Sequence, residues 1–227
     1  KLLEFNMQEV MIPGRSTDTV RFTPFIYGTN ANKWEPGAKN PPLYKVMLFT
    51  RRDGAYREYM PLKIGFGKTE LVDGRLTRFD KELKLVKTGY NAAADRKTTL
   101  AELKTLKAKG NNTICPDYPQ PGWFYDLCDE LGLYVIDCAN INAPEKRDDR
   151  KVGGTPSNDP SLADEYLERV KAMYYRSRNH SCVIAFALGG ESGNGYNMYK
   201  AYEWLKSVEK SRPVICADAD GEWNSDL

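Results

Sequence analysis

From about residue 83 onward, short apolar runs alternate with stretches whose apolar residues recur every three or four positions. That texture predicts βα units on a parallel sheet. Leu83-Lys84-Leu85-Val86-Lys87 reads as a first strand. A helix is predicted over Thr99 to Lys109, with Thr99 and Glu102 spaced as a capping box, Leu100, Leu103 and Leu106 on one face, and Gly110 as the stop. A short strand near Thr113-Ile114-Cys115 leads to a helix from about Trp123 to Leu131, closed by Gly132. Leu133-Tyr134-Val135-Ile136-Asp137 is a buried strand. A long loop through Lys146 to Asn158 ends at Asp159-Pro160, an N-cap followed by proline at the first helical position. The helix that follows, to about Ser177, turns Leu162, Tyr166, Val170 and Met173 inward. Cys182 to Leu188 is the next strand, Tyr196 to Glu209 the next helix with Met198, Tyr202, Leu205 and Val208 inward, and Pro213 to Cys216 the last strand.

The first segment has a different pattern. Alternating and β-branched stretches such as Thr19-Val20-Arg21-Phe22 and Tyr44-Lys45-Val46-Met47-Leu48-Phe49 are separated by turn clusters at Pro13-Gly14, Asn30-Ala31-Asn32, Pro36-Gly37 and Asp53-Gly54. This predicts antiparallel β structure of sandwich type over residues 1–73, although a full sandwich takes about 100 residues. Residues 74–227 then hold the βα units, fewer residues than the about 250 of a complete eight-fold barrel. Only part of a barrel is expected.

Composition removes several classes of function. With 33 Lys and Arg against 31 Asp and Glu the net charge is +2, so binding nucleic acid through a strong basic field is excluded. The apolar runs are too short to span a bilayer, and Lys1-Leu2-Leu3-Glu4 opens no apolar stretch of signal-peptide length. Five cysteines form an odd set without a C-x-x-C pair, against both a disulfide framework and a zinc knuckle. The single histidine, His180, leaves any nucleophilic dyad one possible base. A Cys138–His180 thiol site fails because His180 enters its strand at the amino end while Cys138 leaves its own at the carboxyl end.

Reactive groups of parallel α/β proteins sit at the carboxyl ends of strands. Those positions are Asn91, Pro116 and Asp117, Cys138 and Asn140, Gly189 to Gly193, and Asp218 to Glu222. In Leu188-Gly189-Gly190-Glu191-Ser192-Gly193 a carboxylate stands at a strand end among glycines that let a ligand approach the backbone. Desolvated by a bound sugar, Glu191 is placed to act as a general acid. The alternative is an acid favoured there by the dipole of the following helix. Nucleotide binding is disfavoured, because the glycines do not follow G-x-G-x-x-G and Glu191 would repel a phosphate.

Asn179-His180 followed by Val183-Ile184-Ala185-Phe186-Ala187-Leu188-Gly189-Gly190-Glu191-Ser192-Gly193-Asn194-Gly195 resembles the acid/base segment of glycoside hydrolase family 2, the β-galactosidase and β-glucuronidase family. Phe124-Tyr125-Asp126-Leu127-Cys128-Asp129-Glu130-Leu131-Gly132-Leu133-Tyr134-Val135-Ile136-Asp137 is a second similar stretch. Asn40-Pro41-Pro42-Leu43-Tyr44, Lys63-Ile64-Gly65-Phe66-Gly67 and Ser211-Arg212-Pro213-Val214 are shorter ones. The resemblance implies an α/β fold: a partial (β/α)8 TIM barrel over residues 74–227, preceded over 1–73 by the C-terminal part of an immunoglobulin-like β-sandwich. It implies a retaining glycosidase of carbohydrate metabolism, β-galactosidase-like, that hydrolyses O-glycosidic bonds with two glutamates about 5–5.5 Å apart. Glu191 takes the acid/base position, and the nucleophile belongs to a later strand, beyond Leu227. Asn140, Asn91, Tyr118 and Asp117 are the expected substrate-binding residues.

Where family members carry Asn before the acid/base, this chain has Gly190; their Ser-His-Tyr-Pro is Pro116-Asp117-Tyr118-Pro119; their Asp-Glu-Ala-Asn-Ile-Glu is Asp137-Cys138-Ala139-Asn140-Ile141-Asn142; and a metal-binding His of some members is Pro144. The expectations are therefore a carbohydrate as partner, no cofactor, no metal, no nucleic acid and no membrane. A chain that holds the acid/base without its nucleophile is expected to be inactive by itself. A non-catalytic carbohydrate-binding or scaffold relative is the alternative, with Tyr90, Tyr118 and Trp223 as candidate sugar-stacking rings. Unpaired edges of a partial barrel invite association, and a secreted or periplasmic setting would suit a polysaccharide-degrading protein.

Overall fold

A computed structural model describes residues 2–27, 31–36 and 41–227. The turns expected at Asn30 and Pro36-Gly37, and Asn40 of the first short motif, fall wholly or partly outside the described residues. The chain divides into two compact units, Lys1–Lys33 and Trp34–Leu227. The described part of the first carries no strand or helix; the strand expected at Thr19 to Phe22 is absent, because no partner strand pairs with it among the described residues.

The second unit opens with antiparallel structure. Strands β1 (Tyr44–Arg52) and β2 (Ala55–Ile64) form a hairpin closed by Asp53-Gly54, both at positive φ, as a two-residue turn of primed type requires. Strands β3 (Thr69–Val72), β4 (Arg75–Arg78) and β5 (Lys81–Glu82) make a separate three-stranded meander. This segment is bolted onto the βα units that follow it. Trp34 is fully buried and its indole N–H donates to the Asp129 carbonyl at 2.9 Å, while Ser181 bonds the Gly65 backbone N–H at 2.6 Å.

The βα units follow in the predicted order. Strands β6 (Lys87–Tyr90), β7 (Thr113–Pro116), β8 (Tyr134–Cys138), β9 (Val183–Ala187) and β10 (Val214–Ile215) form one five-stranded sheet whose neighbours are all parallel and consecutive in sequence. Between them run α1 (Arg96–Ala108), α2 (Gly122–Leu131), α3 (Ala163–Ser177) and α4 (Tyr196–Val208). Ile114, Val135, Ile184 and Phe186 from the strands interlock with Leu103, Phe124, Leu127, Val170, Met173 and Leu205 from the helices, all essentially without exposure. Each such side chain contributes about 1.5–3 kcal/mol by leaving water. Among the described residues no helix is long and apolar enough to cross a membrane.

Several boundaries differ from expectation for identifiable reasons. The first barrel strand begins at Lys87 rather than Leu83, because the Asn112 side chain accepts from the Val86 N–H and donates to the Lys84 carbonyl, both at 2.8 Å. A side-chain amide thus replaces the ladder over Lys84–Val86. Helix α1 starts earlier than Thr99, capped by Asp95, whose carboxylate accepts from the N–H groups of Lys97 and Thr98 at 2.9 and 3.0 Å. The expected Thr99–Glu102 box is instead a docking point: the Tyr90 hydroxyl reaches Glu102 at 2.5 Å. Asp159-Pro160 initiates a 3-10 turn, Pro160–Leu162, before α3. Val208 is exposed where α4 ends.

Candidate functional site

The carboxyl ends of the parallel strands feed five loops, and side chains from one loop hold the next. Gln120, buried beyond β7, accepts from the Ala93 N–H at 2.8 Å and donates to the carbonyls of Asn91 and Tyr118 at 3.0 and 2.8 Å. It thereby fixes the loops after β6 and β7. The Asn142 amide after β8 donates to the Tyr118 hydroxyl after β7 at 3.0 Å. The Ala143 N–H is shared between the Glu191 carbonyl and the Ser192 hydroxyl, each at 3.1 Å, and the Gly190 N–H donates to the Ile141 carbonyl at 2.8 Å. These bonds join the loop after β8 to the loop after β9.

Glu191 stands at the rim of this surface with its side chain 67% exposed. Arg147, from the long loop after β8, places one guanidinium nitrogen 3.1 Å from the Glu191 carboxylate and another 2.6 Å from Asp218. Asp218 and then Glu191 raise the Arg147 pKa above its ordinary value, so the cation is held. Asp218 is buried, and its second oxygen accepts the N–H groups of Ser192 and Gly193 at 2.8 and 2.7 Å. Asp218 is the clamp that orders the residues after Glu191. Asp220 and Glu222 both pair with Arg150, and Glu222 also accepts from Tyr199 at 2.5 Å. None of the three carboxylates therefore faces Glu191 without a partner.

The glycines around Glu191 have different tasks. Gly193 sits at φ +69°, and an added Cβ would lie 2.6 Å from the Arg147 carbonyl, so both backbone conformation and space demand glycine. A Cβ on Gly189 would lie 2.8 Å from the Ile141 carbonyl. At Gly190 it would meet the Asn142 amide oxygen at 3.4 Å and the Ile141 carbonyl at 3.9 Å, ordinary contacts.

Asn91, Asp117, Tyr118, Asn140 and Glu191 all lie exposed at this one end of the sheet. Their contacts differ. Tyr118 and Asn142 join directly; the Asp117 N–H bonds the Tyr90 carbonyl at 3.0 Å; Asn91 and Asn140 are engaged through backbone carbonyls, the latter accepting from Arg169 at 2.7 Å. Tyr90 is not a sugar-stacking ring, because it is buried against Phe124 at 5.2 Å. Trp223 remains exposed and stacks on Tyr199 at 5.3 Å. Sequence reasoning missed Arg147, Gln120 and the clamping role of Asp218; Arg147 lay in a run of charges with nothing to set it apart.

Among the described residues, potential ligands for a metal are few. At the β8 strand end burial pushes the Cys138 thiol up to about 12. At the opposite, amino end of the sheet Asp129, His180 and Cys182 present ligand atoms within 4.8 Å of one another. There one Asp129 oxygen accepts from the Cys182 N–H at 2.7 Å and the other bonds His180 Nδ1 at 2.8 Å, and burial pushes the Cys182 thiol far above its ordinary value. The carboxylate already serves the entry to β9, and the thiolate a metal would need is disfavoured.

The model of the TIM barrel domain of glycosyl hydrolases family 2 matches residues 88–226. The β-galactosidase of Vibrio cholerae is 34% identical over 185 residues, covering 77% of this chain and 18% of that protein. The β-galactosidase of Lactococcus lactis is 35% identical over 189 residues, again 77% and 18%. Among solved structures, the β-D-glucuronidase of Dictyoglomus thermophilum superimposes with a TM-score of 0.70 at 19% identity over 82% of this chain and 34% of that one. The β-glucuronidase of Ruminococcus gnavus gives 0.68 at 17% identity over 82% and 33%. The chain spans less than a fifth of the length of the β-galactosidases it resembles. More than half of its residues fall inside one family's barrel model, with its parallel strands in that barrel's order, and the chain belongs to glycosyl hydrolases family 2.

Proposed function

We propose that this chain carries the acid/base side of a family 2 glycosidase site acting on a β-linked sugar, β-galactosidase-like in its substrate class. Glu191 protonates the leaving glycosidic oxygen, then takes a proton from the water that releases the sugar. Tyr118, Asn91, Asp117 and Asn140 line the approach at the same end of the sheet and bind sugar hydroxyls. The observation that carries this reading is Glu191 exposed at the end of β9 in a loop clamped from both neighbouring strands.

A retaining site needs a second carboxylate about 5–5.5 Å from the acid/base. Asp218 is committed to two backbone N–H groups and Arg147, so it is no nucleophile. The chain alone is accordingly inactive. The test is incubation with aryl β-galactoside, β-glucoside and β-glucuronide. No turnover is expected; turnover abolished by Glu191→Gln would overturn the claim of inactivity while supporting the role of Glu191. Within a longer protein that includes this segment, Glu191→Gln should remove most activity, and full activity in that variant would overturn the role itself.

A second reading, a non-catalytic carbohydrate-binding relative, is favoured by Gly190 and by the Arg147 ion pair that an incoming sugar must displace. Activity of the longer protein on a natural oligosaccharide separates the two. We further propose that residues 1–73 are the C-terminal part of an immunoglobulin-like sandwich and 74–227 the first half of the barrel; the hairpin β1–β2 supports the former. No metal is expected at Cys138, Asn142 and Pro144, since burial opposes the thiolate and proline offers no ligand; a tight magnesium site in titration calorimetry would contradict this. The edges β6 and β10 have no outer partner among the described residues and are proposed to associate; light scattering of a strict monomer at high concentration would count against it.

A further inference from the structure

The hairpin β1–β2 pairs with no other strand among the described residues, and a two-stranded ribbon by itself is marginal in water. Side chains alternate between its faces, so Lys45, Phe49 and Arg51 share one face with the residues across from them, Lys63, Tyr59 and Tyr56. The rings agree with this grouping: Tyr56 lies 5.1 Å from Phe49 and 5.7 Å from Tyr59, and the Arg51 guanidinium carbon is 5.9 Å from the centre of the Tyr56 ring. Tyr56 and Tyr59 are nonetheless 54% and 59% exposed. Aromatic area left open and gathered on one face marks an interaction surface rather than a core.

The charges on this face have one sign. Lys45 stands directly opposite Lys63, a like-charge pairing that destabilises a ribbon. Glu130 of α2 relieves Lys63 at 2.8 Å, but neither Lys45 nor Arg51 has a carboxylate within ion-pair distance among the described residues. The one acid of the two strands, Glu58, accepts from the Thr50 hydroxyl on the other face at 3.1 Å. A second copy of the hairpin would bring the same cations together, so this face does not suit self-association. Lys45 and Arg51 are six residues apart in one strand, about 20 Å, farther than one small anion reaches.

We propose that this face binds an anionic polysaccharide, a chain of uronic acid units whose carboxylates pair with Lys45 and Arg51 while sugar rings pack on Tyr56 and Tyr59. Tyrosine offers a sugar an apolar ring face for its C–H side and a hydroxyl for its O–H groups. Cations on either side of the rings suit a polymer whose negative charges recur along its length. The choice of a carbohydrate over an acidic polypeptide rests on the sugar-hydrolysis reading; the negative charge of the ligand rests on the hairpin alone.

The test is titration calorimetry of the full chain with β-linked oligomannuronate, neutral β-1,4-galactan and poly-L-glutamate of similar length. Saturable binding of oligomannuronate is expected, weakening as salt is raised, with galactan and polyglutamate bound at least tenfold less tightly. Tyr56→Ser with Tyr59→Ser and, separately, Lys45→Gln with Arg51→Gln should each weaken binding tenfold or more while circular dichroism stays unchanged, whereas Lys104→Gln on α1 should have no effect. Galactan bound as tightly as oligomannuronate would overturn the role of the cations, and polyglutamate bound as tightly would make the face an acidic-polypeptide surface instead. No saturable binding of oligomannuronate, or unchanged affinity in either double variant that remains folded, would equally sink the proposal. Binding is read without hydrolysis, so its failure leaves the role of Glu191 standing, and loss of that role leaves the hairpin result standing.

Discussion

Glu191 and Asp218, at the ends of neighbouring strands, share one guanidinium: Arg147 stands 3.1 Å from the first and 2.6 Å from the second. The two acids have unequal partners, since Asp218 also accepts two backbone N–H groups and Glu191 remains open to solvent. Asp218→Ala should therefore be the more disruptive change. It strands the Ser192 and Gly193 donors, at about 1–3 kcal/mol each. A drop in Tm of roughly 4–24 °C follows for a chain of this size. Asp218→Asn, which keeps one acceptor, should lose about half as much. Thermal unfolding followed by circular dichroism decides it, and an unchanged midpoint would mean that Asp218 is no clamp.

The glycines flanking Glu191 should respond oppositely to substitution. Gly190→Asn restores the residue expected beside the acid/base, and its Cβ has only ordinary contacts, so stability should change little. Gly193→Ala forces a side chain into left-handed backbone and against the Arg147 carbonyl, at a cost of at least about 1–2 kcal/mol. Equal midpoints for the two variants would contradict this.

A third prediction concerns Asp137, a wholly buried residue of β8. It accepts from the Tyr125 hydroxyl at 2.6 Å, the Cys138 N–H at 3.1 Å, Arg176 at 2.8 Å and the Ser177 hydroxyl. Asp137→Ala leaves Arg176 without its charge partner in a half-buried setting and should destabilise by about 3–5 kcal/mol. Denaturant titration measures it. Losing less than a surface substitution does would show that the cluster carries no such weight.

Acid should weaken the last turn of the structure. Burial alone would raise the Glu209 carboxyl, but Arg212 and the Ser211 N–H outweigh it and hold it below its ordinary 4.5. Burial would likewise raise Asp226, yet the Val214 N–H, Lys206 and Tyr202 hold it below 3.8. Carboxyls depressed by folding lend stability that is complete above those ordinary values and drains as pH falls through the folded ones. Stability should thus fall below pH 4.5, and less steeply in Asp226→Asn, as read by denaturation midpoints between pH 6 and 3. An identical acid slope in that variant would refute the role of Asp226.

The periodic elements were legible because burial on one face imposes spacing: Tyr166, Val170 and Met173 read as an inward stripe and are one. Boundaries escaped where a side chain stood in for backbone, as Asn112 does beside β6 and Asp95 does before α1. Within the site, Glu191 was visible from its glycine setting at a strand end. Arg147 and Gln120 were not, since their work is contact between loops distant in sequence and no local pattern encodes it.

In the parallel sheet each strand pairs with the one before it in the chain. A nascent polypeptide leaving the ribosome amino end first would always find the partner for its newest strand already made. Loop closures stay short, which favours rapid docking of each βα unit on its predecessor. Assembly of this parallel sheet can keep pace with its synthesis, and the growing edge is always the strand made last.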